Sequence, residues 1–168
     1  RTVEIVQIYT SQNIFSEEIE PNQSITLSKP VQNLSWDTAN LNTQNTTGNI
    51  FLAGITNNFL KKKVGKNKFL NTNEYSPPLY FKNNIIFSDD VGNIFNINSK
   101  GKINWKVNIY KKTFKKVYKN LSFSIYKNKI YVADNIGFVY SLNPETGKVI
   151  WLKSLGIPIK SKIKVSEN

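Results

Sequence analysis

Few residues in this chain have the type and spacing to do chemistry. Asp89-Asp90 and Asp134-Asn135 recur before glycine turns and offer oxygens of the kind a hard cation accepts. The same placement suits turn residues that cap backbone N–H groups, which is the more economical reading. Glu17, Glu18 and Glu20 form an acidic cluster with nothing nearby to suggest a reaction. Tyr110 to Lys119 interleaves lysine with aromatics, which makes Lys111, Lys112, Lys115, Lys116 and Lys119 candidate contacts to a polyanion or an anionic membrane surface. The alternative for this stretch is a solvated connection whose lysines lay their stems on the protein and their heads in water. Trp105 and Trp151 offer either a stacking platform for a ligand or a packing contact repeated for architectural reasons.

The absences weigh as much. With no histidine and no cysteine, the chain lacks the commonest general base, the commonest transition-metal ligand and any thiolate or disulfide. We therefore expect no catalytic residue, no metal site, no cofactor-binding residue and no enzyme. The +12 net charge is almost wholly lysine, Arg1 being the sole arginine. Joint enrichment in Asn, Lys, Ile, Phe and Tyr fits AT-rich coding as well as an electrostatic footprint. The shortage of arginine, whose fork favours phosphate, argues against dedicated phosphate recognition, and nucleic acid is not an expected partner. No run approaches the roughly 18 apolar residues of a spanning helix, and Arg1-Thr2-Val3-Glu4 does not read as a signal peptide. The lack of methionine reads as a chain that does not begin at its natural start, without whatever targeting segment preceded it.

Positioning falls to short strands. Residues 1–45 read as an extended polar leader with one strand at Val3 to Tyr9; beyond Asn49, alternating strands are broken by Asn, Gly and Lys with no helical periodicity. Self-comparison shows why. Lys82 to Gly92 lies over Lys127 to Gly137 at an offset of 45 residues, and Asn93 to Asn98 continues over Phe138 to Asn143. One inserted residue later, Gly101-Lys102-Ile103-Asn104-Trp105 lies over Gly147-Lys148-Val149-Ile150-Trp151. A fainter copy puts Leu60 at the tryptophan position, and Ile163-Lys164-Val165 resembles the opening strand Leu79-Tyr80-Phe81.

Four short antiparallel strands in about 45 residues is the size of one propeller blade. In the second repeat the strands are expected at Ser122 to Tyr126, Lys129 to Ala133, Phe138 to Leu142 and Lys148 to Lys153. Gly92 and Gly137 stand where turns reverse the chain, and Asn143-Pro144-Glu145-Thr146-Gly147 is a turn with Pro early and Gly closing it. Gly92, Gly101, Trp105, Gly137, Ser141, Gly147 and Trp151 are thus blade architecture.

Ser141 to Trp151 resembles the tryptophan-docking motif A-x-D-x-x-T-G-x-x-x-W of pyrroloquinoline-quinone-type repeats, with Ser141 for the usual Ala and Asn143 for the usual Asp. Pro30 to Trp36, followed by a polar stretch and Asn49-Ile50-Phe51-Leu52, is similar to the lead-in to the first blade of alphaproteobacterial BamB-like outer-membrane assembly lipoproteins. The resemblance implies an all-β, quinoprotein-like propeller with an incomplete ring. Its expected parts are a partial blade at about 46–75, blades at 76–110 and 120–156, and the start of another at 157–168. It also implies a cofactor-free periplasmic scaffold, tethered to the outer membrane by a lipid anchor absent from this chain, whose protein partner is the central barrel-assembly protein. The alternatives are a fragment of a quinoprotein-like dehydrogenase, which would need vicinal cysteines, and a polyanion-binding propeller. An unclosed ring leaves strand edges and apolar faces exposed, so the isolated chain is expected to be unstable or to associate.

Overall fold

The computed structural model describes residues 26–39, 41–42, 44, 46–52, 54, 58, 60–69 and 76–167. The strand expected at Val3 to Tyr9 and the acidic cluster at Glu17, Glu18 and Glu20 lie outside the described residues. Strands β1 Leu79–Phe81, β2 Asn84–Ser88, β3 Ile94–Asn98 and β4 Ile103–Val107 form one antiparallel sheet in sequence order. Strands β5 Leu121–Tyr126, β6 Lys129–Asp134, β7 Phe138–Leu142 and β8 Val149–Ser154 form a second with the same order. The protein is all-β, with two blade-like sheets that do not close a ring, and each strand expected in the second repeat is present with its ends shifted by at most one residue. Only a single 3₁₀ turn, Lys112–Phe114, interrupts the connection between the sheets.

Two local devices repeat with the strands. The hairpins β1–β2 and β5–β6 turn through Lys82-Asn83 and Lys127-Asn128, whose φ values of 48°, 61°, 45° and 56° put both central residues of each turn in the left-handed region. That is the primed turn whose twist matches the flanking strands. Lysine pays for the fit, since an L-residue in this region costs about 1–2 kcal/mol. The second device is a β-bulge. The pairings Asn96↔Trp105 then Ile97↔Ile103, and Ser141↔Trp151 then Leu142↔Val149, leave Asn104 and Ile150 as extra residues immediately before each tryptophan. A bulge bends and twists its strand and so re-aims the side chain that follows it.

The core lies between the sheets. Leu79, Ile86 and Ile94 of the first sheet pack with Phe123, Ile130, Val132, Tyr140 and Leu142 of the second, all nearly sealed from solvent. Alternation sorts β3 accordingly: Asn96 turns toward the second sheet, where it bonds Pro144 O, while Phe95 turns the other way, toward Gly65.

Residues 36–38, inside the expected polar leader, add a tie. Trp36 pairs with Tyr80 of β1 and Thr38 with Ser124 of β5, so one extended segment hydrogen-bonds to the first strand of both sheets. At the other end, residues 157–167 contain no strand; an extended segment becomes one only when paired, and here Ile163 N donates to Ser122 Oγ at 2.8 Å without a ladder.

Replacing Lys127-Asn128 by Asn-Gly relieves the left-handed strain at that turn and is expected to raise stability by about 1 kcal/mol, read as an upward shift of the urea midpoint with unchanged slope.

Candidate functional site

The structure gathers its distinctive residues at the joint between sheets. The Trp105 indole is 9% exposed and lies flat on the turn of the next repeat, where its Nε1–H donates to Pro144 O at 2.8 Å. Asn96 Nδ2 reaches the same carbonyl at 3.1 Å. Gly147 makes the approach possible: its φ is 69°, and a Cβ there would stand 2.7 Å from the indole ring. Asn143, at the position where the motif usually has aspartate, shapes the turn by accepting from the N–H groups of Glu145 and Thr146 at 2.9 and 3.0 Å. Asn98 does the same for Lys100 and Lys102 in the first repeat.

Among the described residues the joint is formed at two turns. At Gly101, the turn equivalent to Gly147, a Cβ would meet Leu60 and Lys62 at 3.0 Å, and Lys62 Nζ donates to Gly101 O. Leu60 therefore sits on that turn as Trp105 sits on the next. Trp151 has no such turn against it among the described residues. Its indole is 41% exposed beside Tyr131, and every residue of β8 is exposed, with Leu155 and Ile157 extending the apolar face. The Trp105 ring is thus buried against the turn of the following sheet, while the Trp151 ring is half exposed. Ser141, where the motif usually has alanine, is fully buried, and its hydroxyl has no hydrogen-bond partner.

The aspartates are committed to backbone. Asp134 Oδ1 accepts from the N–H groups of Ile136, Gly137 and Phe138 at 2.8–2.9 Å, and its Oδ2 takes the Tyr110 hydroxyl. Asp89 Oδ1 accepts from Val91 and Asn93 N–H groups, and its Oδ2 from Lys66 N; Asp90 Oδ2 accepts from Phe69 N. Gly92 and Gly137 have φ of 83° and 110° in these turns, with the Tyr110 ring against the first and the Ile157 backbone against the second. Burial, with Tyr140 and Asp134 beside it, pushes the Tyr110 phenol well above its ordinary range.

The lysine stretch divides. Lys111, Lys112, Lys115 and Lys116 are exposed around the 3₁₀ turn. Lys119 is not the surface contact that sequence suggested: it is 2% exposed, its Nζ donates to Phe114 O, and it lies 5.1 Å over the Tyr110 ring. Burial, assisted by Lys68, holds its ammonium below the usual lysine range against the pull of Asp134, Asp89 and Asp90. Lys115 and Lys119 line a cleft with Lys66, Lys68 and Lys106, three residues that sequence reasoning passed over because they lie far apart along the chain.

Truncating Trp105 to alanine is expected to cost about 3–5 kcal/mol in chemical denaturation, whereas Trp151→Ala costs about 1 kcal/mol or less. Ser141→Ala, which removes a buried hydroxyl with no partner, is expected to raise stability by about 1 kcal/mol in the same measurement.

No family model matches the chain, and none of the curated proteins matches it in sequence. Among solved structures it is similar to the crystal structure of BamB from Moraxella catarrhalis, with 17% identity and a TM-score of 0.35 over 42% of this chain. The match spans 20% of the length of that protein.

Proposed function

We propose that the chain is the blade-forming part of a non-catalytic protein-binding scaffold in the machinery that assembles outer-membrane β-barrels in the periplasm. The observation that carries the scaffold reading is the repeated joint: the Trp105 indole on the Gly147 turn couples one sheet to the next, and Leu60 stands on the Gly101 turn in the same way. Asp89 and Asp134, which might have served a hard cation, spend their oxygens on backbone N–H groups, the Asn93 amide and the Tyr110 hydroxyl, which supports architecture over catalysis at those positions. The choice of machinery rests on the resemblance of residues 30–52 to the lead-in of BamB-like proteins, beside the pyrroloquinoline-quinone-type repeat motif at 141–151, and the barrel-assembly outer-membrane protein is the partner that this reading names. Lys111, Lys112 and Lys116 are then solvated heads on an inter-sheet connection.

Isolated from its own envelope fraction in mild detergent, the protein is expected to co-purify with the barrel-assembly outer-membrane protein. It is also expected to show no alcohol oxidation when supplied with pyrroloquinoline quinone and Ca²⁺. A quinone absorbance band with Ca²⁺-dependent oxidation overturns the scaffold reading; failure to co-purify overturns the assembly role.

A further inference from the structure

Five lysines from three separate segments converge on one cleft of about 440 Å³ beside the first sheet. Lys66 and Lys68 come from the segment that precedes the sheet, Lys106 from β4, and Lys115 and Lys119 from the connection to β5. Nothing in their spacing along the chain brings them together. The aspartates do part of it: Asp89 and Asp90 accept the backbone N–H groups of Lys66 and Phe69 at 3.1 and 2.6 Å, which pins residues 66–69 along the rim. Aromatic rings steady two of the heads, with Lys68 Nζ 5.6 Å over Phe69 and Lys106 Nζ 5.5 Å over Phe95.

Among the described residues that line the cleft there is no carboxylate. Among the described residues the ion pairs are Lys82 with Glu145 and Lys127 with Glu167, both remote from this cleft. The nearest acids, Asp89 and Asp90, give three of their four oxygens to backbone N–H groups and act on the buried Lys119, with no ion pair to the exposed heads of Lys66, Lys68, Lys106 and Lys115 among the described residues. Like charges crowded in a concave site repel one another and focus a positive potential outward, and a compact anion of several charges relieves both. The sole buried member of the five, Lys119, donates its Nζ to Phe114 O and faces the charges of Asp134, Asp89 and Asp90, so the exposed heads of Lys66, Lys68, Lys106 and Lys115 carry the positive character of the cleft.

We infer that this cleft binds a phosphate-bearing group, held by the ammonium heads of Lys66, Lys68, Lys106 and Lys115. Sequence alone argued against phosphate recognition from the shortage of arginine; the cleft reverses that argument, because lysine binds phosphate as a point charge and needs several heads in place of one fork. A stacked nucleobase is disfavoured by the same geometry. Tyr110, the one aromatic in the wall, has its ring packed against Gly92 and Lys119 and its hydroxyl on Asp134. Asn108 and Asn93 likewise direct amide groups to one another and to Val91 O and Asp89, which leaves the lysines as the donors. This inference is independent of the scaffold reading.

The test uses the full chain, with tripolyphosphate as a soluble probe in calorimetry and phosphatidylglycerol vesicles, against phosphatidylcholine vesicles, in sedimentation. Wild type is expected to bind at least one probe, more weakly as salt screens the charges. Joint replacement of Lys66, Lys68, Lys106 and Lys115 by Gln should weaken that binding about tenfold or more. A charge-matched variant with Lys111, Lys112, Lys116 and Lys153 changed to Gln should shift it less than about twofold. All eight positions are exposed, so the fold should persist, and the single variant Lys106→Glu gives the same direction should the fourfold variant lose its thermal transition. Tripolyphosphate binding without anionic-vesicle binding identifies a free phosphate compound, and the reverse identifies a lipid headgroup; either supports the inference. Equal losses in the two fourfold variants, or no binding of either probe by wild type, overturns it.

Discussion

The contact of the Trp105 indole with the Gly147 turn is the interaction on which the rest depends. Each four-stranded sheet has two faces, and a sheet this small cannot bury enough apolar surface by itself to offset the conformational entropy of ordering it. The indole supplies area at low entropy cost, and its one polar atom is satisfied by Pro144 O, so the joint closes without a buried unpaired donor. Gly147 must be glycine for two separate reasons, the left-handed φ and the ring that fills the place of a Cβ. The bulge before the tryptophan then acquires a purpose, since it lets the last strand of one sheet present its indole sideways to the next.

Second to the joint comes a polar lattice that holds the turns. Asp134 organises one turn through three backbone N–H groups and reaches back to Tyr110, whose ring packs against Gly92 in the turn that Asp89 shapes. Asn135 extends the lattice by accepting from Asn120 N and donating to Tyr118 O. The two sheets are therefore coupled twice, once through an apolar ring and once through hydrogen bonds of low solvent access, where each bond lost leaves a partner unsatisfied. Ser141 is the exception, a buried hydroxyl that the same geometry leaves without a partner.

Charge is arranged on a different principle. Most lysines stand in solvent, where they contribute solubility more than stability. The cleft of Lys66, Lys68, Lys106 and Lys115 is distinct because backbone capping by Asp89 and Asp90 helps to place positive heads together, with no carboxylate among its described lining residues. Residues that look like candidate cation ligands thus serve instead to shape an anion-attracting surface.

The repeat by itself determined the strands and turns of this protein, because those depend on local alternation and on residues that tolerate a left-handed backbone, such as Gly92, Gly137 and the Asn of each Lys-Asn turn. It also singled out Trp105 and Trp151 as equivalent. Tertiary structure alone decided that they are unequal: Trp105 meets the Gly147 turn, while Trp151 lies on an open face. The bulges, the pairing of residues 36–38 with both sheets, the burial of Lys119 and the lysine cleft were likewise beyond sequence reading. The pairing of residues 36–38 and the lysine cleft join residues distant along the chain, and one-dimensional spacing carries no information about which distant segments pack once the loops between them close.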